Sequence, residues 1–388
     1  MTLAGYLLQL LILSAVLLTL ARNQSAIIRF QILAWAIGVA FLAITLGIDG
    51  QNNFYSNDQQ IFTEIVTSLR TQNFRSSMGG WGGWADEGLL AWVINGRLPF
   101  TIPAAIISTA GIEPGLALRT VSIVCLLELS RRILRHTSVQ TTFCKLLVLA
   151  TSACGGIGIF FSLLALRETM MMLCVFQFAT TKSPVVRSTM LLLLMQLRPH
   201  LAISLFVAAL LLKVIEAFRS FRSGSIPKGV LLVLSATILG SFLFEFGASA
   251  GSASHEIDVL KAIGIDSRHI LANLAGLQFL SGDGAVLSVS DLILARALFP
   301  ETVVVPILFI GFHVFSTNRI KSFDYFVLTA FCVYIGIAGR TDFNSLRQNL
   351  PLISLMGYSI VRHFASGCGS TFSRPQEQFR TSNLKQLS

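Results

Sequence analysis

Long apolar runs recur along almost the whole chain and constrain its fold more than any other feature. A hydrocarbon layer about 30 Å thick is crossed by about 20 apolar residues in helical form. We interpret eleven runs as transmembrane spans, at 3–21, 30–48, 114–131, 142–164, 168–181, 188–198, 200–213, 228–248, 302–317, 323–339 and 349–363. With 53% hydrophobic and only 12% charged residues, the chain cannot form a water-facing surface. The sequence therefore predicts an all-α, polytopic transmembrane helix bundle.

The spans predict one integral membrane domain and a short tail. The domain covers residues 1–363, and the polar segment 364–388 is expected to be a disordered tail. Two long loops remain between spans, at about 49–113 and about 249–301. The first span has no basic residue before it and Arg22 after it, which favours a retained span over a cleaved signal peptide.

The distribution of basic residues predicts the orientation, since short loops rich in Lys and Arg stay in the cytoplasm. With the N-terminus outside, the inner segments total +14 and the outer segments −4, which accounts for the net charge of +10. Both long loops then lie outside and the C-terminal tail is cytoplasmic. This topology suits a bacterial inner membrane. Because topology explains the basic balance, we expect no nucleic-acid partner.

An ionised side chain at membrane depth costs free energy, so one that persists there usually lines a cavity or pairs with another charge. Four groups of charged residues on the predicted outer side are therefore candidates for a functional site. The first is Asp58, which begins a segment where Ile61, Ile65 and Leu69 recur at helical spacing. In the functional interpretation, the Asp58 carboxylate accepts a proton from an attacking hydroxyl. As structure, Asn57 or Asp58 simply caps the helix. The sequence leaves both interpretations open.

Two further clusters interrupt the middle runs of the chain. Arg167 and Glu168 lie between two apolar runs. The guanidinium can bind a phosphate through two hydrogen bonds. Alternatively, the two residues only mark the end of a helix. In the second cluster, Pro199 breaks a run and leaves Arg198 and His200 at the outer turn. The alternative there is a polar hairpin between two spans.

The fourth cluster precedes the last span and contains Arg340 and Arg347. Arginines on the outer side oppose the positive-inside bias, so a local anion explains them, with lipid headgroup contact as the alternative. A carboxylate and several cations on one side suit transfer from a lipid-linked phosphate. The six cysteines show no paired metal-ligand spacing, so we expect neither a zinc site nor disulfides.

The order of these features resembles the GT-C superfamily of integral membrane glycosyltransferases. In that superfamily an acidic residue begins a helix in the first long outer loop, as in residues 56–62 (Ser-Asn-Asp-Gln-Gln-Ile-Phe). Many bacterial members have a Ser-containing turn with Arg-Glu and later Leu-Arg-Pro, similar to residues 161–168 and 197–199. An Arg-rich turn that runs into Pro resembles residues 340–351. The resemblance covers most of residues 28–365.

The resemblance implies a polyprenyl-phosphate-linked sugar donor and a glycan or lipid acceptor outside the cytoplasmic membrane. Asp58 would deprotonate the acceptor, with inversion at the sugar, and the substrate-binding residues would be Arg167, Glu168, Arg198, His200, Arg340 and Arg347. A divalent cation that bridges carboxylate and phosphate is compatible with it. The family often doubles the acid, whereas two glutamines follow Asp58, so Glu64, Asp86 and Glu87 stay as alternative bases.

Two other functions share the same sequence features. A polymerase or ligase of lipid-linked repeat units also needs many spans, outer loops and arginines. A carrier of lipid-linked oligosaccharides is the non-enzyme alternative, although transporters tend to contain repeated halves and no repeat is visible here. The sequence contains no phosphate-binding loop or dinucleotide fingerprint.

Overall fold

A computed structural model describes residues 1–52, 57–71, 97–137, 139, 141–219, 300–315, 322–338 and 346–372. The regular elements in these ranges are all helices, in chain order α1 (Leu3–Leu20), α2 (Ala26–Gln51), α3 (Asn57–Thr71), α4 (Leu98–Thr109), α5 (Pro114–Thr137), α6 (Thr142–Thr151), α7 (Gly156–Leu163), α8 (Glu168–Thr180), α9 (Pro184–Leu197), α10 (Pro199–Arg219), α11 (Glu301–Phe315), α12 (Ser322–Ala338) and α13 (Leu346–Phe372). The predicted all-α class is confirmed for this part of the chain.

Helices α1 and α2 are long and apolar enough to cross a membrane, with mean hydropathies of 2.2 and 2.1. Their exposed large apolar side chains recur every three or four residues: Leu8, Leu11, Ile12, Val16 and Leu20 on α1, and Phe30, Leu33, Ile37, Phe41 and Ile44 on α2. Soluble proteins rarely expose apolar patches of this extent. A continuous apolar stripe on the outward face is what a helix in contact with lipid requires.

Helix α8 lies among the other helices, in contact with α5, α7, α9 and α13. It is buried on nearly all sides, and Met171, Met172 and Val175 have no exposed surface. Helices α8 and α9 have 13 and 14 residues, which corresponds to about 20 Å each. Because the hydrocarbon layer is about 30 Å thick, neither crosses it alone. The run at 168–181 forms a short internal helix, whereas α9, in the run at 188–198, is exposed or half-buried apart from Leu194 and Leu197. The total of eleven spans stays a prediction.

The span predicted over 142–164 is broken in the middle and stays a candidate span. The run forms two helices, α6 and α7, bent by 60° at the residues between them. Ala153 in this break has a left-handed backbone with φ of +55°. Gln31 of α2 stabilises the broken backbone, because its Nε2 donates to the Cys154 carbonyl at 2.7 Å and to Ser130 Oγ at 3.1 Å. If α6 and α7 count as one bent span, the described residues contain three candidate spans.

Gly357 of α13 packs directly against the end of α6. A Cβ atom added at Gly357 would collide with the carbonyl oxygen of Thr151. This close approach lets α13 cover the break, whose hydrogen-bond partners include Gln31 of α2, Ser130 of α5 and Ser354 of α13.

The ends of three helices differ from the predicted boundaries in ways that matter for the site. Helix α2 is kinked at Gly47, whose φ is +72°, so its last turn leaves the axis of the span. Helix α3 begins at Asn57, one of the two residues predicted to cap it, so Asp58 lies within its first turn. Helix α13 continues to Phe372, so the first part of the tail predicted to be disordered is helical. The predicted span 228–248 lies outside the described residues.

Candidate functional site

The turn between α7 and α8 is held by side chains from two other helices. Three carbonyl oxygens in or beside the turn accept hydrogen bonds: Leu163 O from Arg119 Nε at 2.7 Å, Leu164 O from Gln59 Nε2 at 2.6 Å and Leu166 O from Ser122 Oγ at 2.6 Å. Ala165 has a left-handed backbone with φ of +54°. Such a conformation costs a non-glycine residue about 1 kcal/mol or more, so surrounding contacts must hold it. These bonds fix the backbone just before Arg167.

Arg119 is the most connected side chain of this network and is fully buried. Besides Leu163, it donates from Nη1 to Asn52 Oδ1 at 2.8 Å and from Nη2 to the Gln51 carbonyl at 3.0 Å. It therefore joins the last turn of α2 to the turn before α8. Its role was not predicted, although an arginine inside a predicted span is itself a signal of function.

Arg167 and Glu168 lie at the N-terminus of α8, as their position between two apolar runs suggested. Arg167 is 8% exposed, and its guanidinium carbon is 5.7 Å from the centre of the Phe62 ring of α3, a cation–π contact. Glu168 is fully buried, and its Oε1 is 3.7 Å from Nη2 of Arg198. This pair connects the turn before α8 with the turn before α10.

Arg198 occupies the junction between α9 and α10. Its backbone is extended, with φ of −158°, because the following Pro199 disfavours a helical conformation at this position. Its side chain is 7% exposed and interacts with the Tyr334 hydroxyl of α12 as well as with Glu168. His200, in the first turn of α10, is half-buried and lies close to the charge of Arg198.

Arg97 completes the site and was not predicted. It precedes α4 with a left-handed backbone (φ of 50°), and its Nη1 donates to the Gln196 carbonyl at 2.9 Å. Burial lowers the pKa of the Arg97 guanidinium, the nearby charge of Arg198 lowers it further, and the Asp58 carboxylate opposes both. Asp58 is itself half-buried. The available signal was an arginine in the predicted outer loop, against the positive-inside bias.

These residues form what we call the arginine cluster: Asp58, Arg97, Arg167, Glu168, Arg198 and His200. Its three guanidinium groups and two carboxylates give a net charge of +1 with neutral histidine. The residues also lie at the N-termini of α3, α4, α8 and α10. Each helix N-terminus carries a partial positive charge of about +0.5. The cluster is thus electrostatically suited to an anion such as a phosphate.

The other residues predicted to belong to the site either make no described contact with the cluster or lack a described side chain. Glu64 accepts a hydrogen bond from the exposed Gln60 at 3.0 Å and is not linked to the cluster by the contacts that the described residues make. Asp86, Glu87 and Arg340 lie outside the described residues. Arg347 lies in the first turn of α13, but its side chain is not among those described.

A metal site needs several ligand side chains close together. No group of three His, Cys, Asp or Glu residues in the described ranges could hold a metal ion. The two carboxylates of the arginine cluster, Asp58 and Glu168, both lie beside arginines. Asp86 and Glu87 lie outside the described residues, so the divalent cation that the sequence resemblance allows stays a prediction.

No family model, curated protein or solved structure matches the chain.

Proposed function

We propose that the chain is an integral membrane glycosyltransferase of GT-C type. It transfers a sugar from a polyprenyl-phosphate donor to an extracytoplasmic glycan or lipid-linked acceptor. The observation that carries this proposal is the arginine cluster. Asp58, Arg97, Arg167, Glu168, Arg198 and His200 come from four separate parts of the sequence and together carry a net charge of +1 with neutral histidine.

The arginines act on the phosphate of the donor. Arg97, Arg167 and Arg198 offer planar guanidinium groups, which bind phosphate oxygens through paired, charge-assisted hydrogen bonds. As the bond between the anomeric carbon and the phosphate oxygen breaks, negative charge accumulates on the departing polyprenyl phosphate. Fixed cations and helix N-termini stabilise that charge without reorganising. Glu168 orients Arg198 through their ion pair.

Asp58 acts on the acceptor. It is half-buried at the start of α3, close to the charge of Arg97. The carboxylate takes the proton of the acceptor hydroxyl while the hydroxyl oxygen attacks the anomeric carbon from the face opposite the phosphate. The sugar is transferred with inversion, and the polyprenyl phosphate leaves as the anion. No step is assigned to a divalent cation.

The broken helix favours a second candidate, a carrier of lipid-linked oligosaccharides. Discontinuous membrane helices are typical of secondary transporters, and α6 and α7 are bent by 60°. The described contacts at the break are between neutral groups, such as those of Gln31, Ser130 and Cys154. The charged groups lie at the arginine cluster instead, so the transferase has the stronger support.

Binding of polyprenyl phosphate to the purified protein in lipid nanodiscs tests the proposal. Arg198→Lys and Arg167→Lys keep the charge but lose the paired geometry, so each should weaken binding by about 10-fold or more. The matched control is Arg187→Lys, an exposed arginine near the other end of α9 whose Nε donates to the Thr181 carbonyl. Equal binding by all three variants would contradict the phosphate site.

Transfer and transport are separated by a second assay on the same protein. Proteoliposomes that receive a panel of polyprenyl-phosphate monosaccharides should release sugar to the acceptor only on the outer side. Movement of intact donor across the membrane without transfer would favour the carrier.

The proposed function also requires that the arginine cluster lies on the extracytoplasmic side of the membrane. A reporter fused after Lys228 should be cytoplasmic, and one inserted near Asp283 should be extracytoplasmic. The opposite result at either position would overturn the predicted sidedness of the arginine cluster.

A further inference from the structure

We infer that Arg119 and Gln59 are positioning residues that hold Asp58 at a fixed distance from Arg167, and this inference rests on the proposed function. Gln59 follows Asp58 directly, and its Nε2 donates to the Leu164 carbonyl at 2.6 Å. Leu164 lies three residues before Arg167, in the turn that positions it. A single side chain therefore connects the start of α3 to the turn before α8.

The same glutamine also connects to the end of α2. Gln59 Nε2 lies 3.3 Å from the Gln51 carbonyl, which also accepts from Arg119 Nη2 at 3.0 Å. Arg119 in turn donates to the Leu163 carbonyl. The last turn of α2, the first turn of α3 and the turn before α8 thus share one set of buried hydrogen bonds. A shift of any one of them breaks bonds to the other two.

Gly115 leaves room for the side chains of Asn52 and Arg119. Gly115 lies one helical turn before Arg119 on α5, and an added Cβ would collide with Asn52 Oδ1 and lie 2.9 Å from Arg119 Nη1. Arg119, Gln59 and Gln51 have no exposed surface. Buried donors without acceptors are costly, so the network is stable only when all its parts are in register.

The rate of transfer depends on the distance between Asp58 and Arg167. A general base acts only within hydrogen-bond reach of the proton that it removes. A misplacement of about 1 Å can cost on the order of 100-fold in rate. The donor phosphate is held through Arg167 and the acceptor through Asp58, so the network sets the separation of the two reacting groups. Arg119 and Gln59 act through these residues and not on the substrate.

Two neighbouring glutamines provide a matched test. Gln59→Met removes the buried donor, whereas Gln60→Met removes only an exposed hydrogen bond to Glu64. Gln59→Met should lower the transfer rate at least about 10-fold with the best wild-type donor from the panel of polyprenyl-phosphate monosaccharides, and change the dissociation constant for polyprenyl phosphate less than about 3-fold. Gln60→Met should match the wild type in both measurements.

A distance measurement makes the test independent of turnover. Spin labels at two exposed positions, Arg70 of α3 and Met195 of α9, report the separation of the helix that contains Asp58 from the helix that ends just before Arg198. Gln59→Met should shift or broaden this distance and Gln60→Met should not. If the wild type transfers no sugar, the proposed function fails, while the distance still tests the positioning role.

Arg119→Lys is the second variant, in case Gln59→Met does not fold. Lysine keeps the charge but cannot reach three acceptors in a fixed fork, so it should reproduce the shifted distance and the slower transfer. A wild-type distance together with wild-type transfer in either folded variant would overturn the inference. Slower transfer with an unchanged distance would overturn it as well.

Discussion

Asp58 and Asp324 both lie near the start of a helix but have different surroundings. Each lies in the first turn, Asp58 in α3 and Asp324 in α12. Asp58 is half-buried beside Arg97, whereas Asp324 is fully buried and accepts hydrogen bonds from Ser359 Oγ at 2.5 Å and His363 Nε2 at 2.7 Å. A carboxylate whose oxygens are bound by the protein joins helices. One that remains partly exposed can exchange a proton with a ligand.

The two regions are separated along a single helix. Tyr334, which interacts with Arg198, follows Asp324 by ten residues on α12, or about 15 Å along the axis. Around the arginine cluster, many side chains donate to backbone carbonyls and fix turns. Around Asp324, side chains bind each other and fix whole helices. We therefore expect substitutions in the first region to affect chemistry and those in the second to affect stability.

The largest expected effect is that of Asp58→Asn on sugar transfer. Asparagine is accepted at a helix start about as well as aspartate but cannot take up a proton. Loss of a positioned base typically costs about 100- to 10,000-fold in rate, so transfer should fall by that factor while binding of polyprenyl phosphate persists. Initial rates in nanodiscs measure it, with the exposed Asp49→Asn as control. Near-normal transfer would eliminate Asp58 as the base and direct attention to Asp86 and Glu87.

Asp324→Ala should give the largest loss of stability. Removal of the carboxylate leaves Ser359 and His363 without their shared acceptor in the interior. Each buried polar group left without a hydrogen-bond partner typically costs about 1–3 kcal/mol, so the two together should cost about 2–6 kcal/mol. Denaturant unfolding in detergent micelles measures the change. Folded Asp324→Ala protein should bind polyprenyl phosphate like the wild type, and weakened binding would show that the two regions are coupled.

A smaller loss is expected where α13 packs on the break between α6 and α7. Gly357→Ala forces a side-chain carbon against the Thr151 carbonyl, so the helices must separate. Overpacking of this kind costs about 1–3 kcal/mol. Gly311→Ala in α11 is the control, because no atom lies within 4 Å of its added Cβ, and it should be neutral or slightly stabilising. Equal unfolding midpoints for the two variants would contradict the close packing.

The smallest effect is expected for the ion pairs of Glu128 with Arg131 and Arg132 on α5. Both pairs are 2.6 Å long, but the side chains are 24–40% exposed. Exposed helical pairs contribute about 0.5 kcal/mol or less. Glu128→Gln should therefore leave the unfolding midpoint almost unchanged, in contrast to Asp324→Ala. A loss comparable to that of Asp324→Ala would show that burial does not distinguish the two regions.

The cluster was partly predictable because charges stand out in apolar runs. Arg167 and Arg198 were found for that reason, and the amphipathic pattern after Asp58 predicted α3 correctly. Arg119 and Arg97 were missed because their acceptors are mainly backbone carbonyls, which leave no sequence signature. Folding brings these acceptors close, and only the three-dimensional structure reveals the pairing.

The break after α6 was missed for a different reason. Its residues Ser152 to Gly155 are small and mostly apolar, so the hydropathy of the run stays high across it. The adjacent glycines at 155 and 156 were the available signal, since paired glycines mark turns. Hydropathy reports whether a segment suits lipid and does not report whether its helix is continuous.

The break between α6 and α7 has a consequence for biosynthesis. Polar backbone groups cannot remain unsatisfied in lipid, and the Cys154 carbonyl depends on Gln31, which is translated earlier. Ser130, which shares that glutamine, also leaves the ribosome before the break does. Gly357 emerges much later. The break can thus enter the membrane against α2 and α5, and α13 closes over it as one of the last segments to be synthesised.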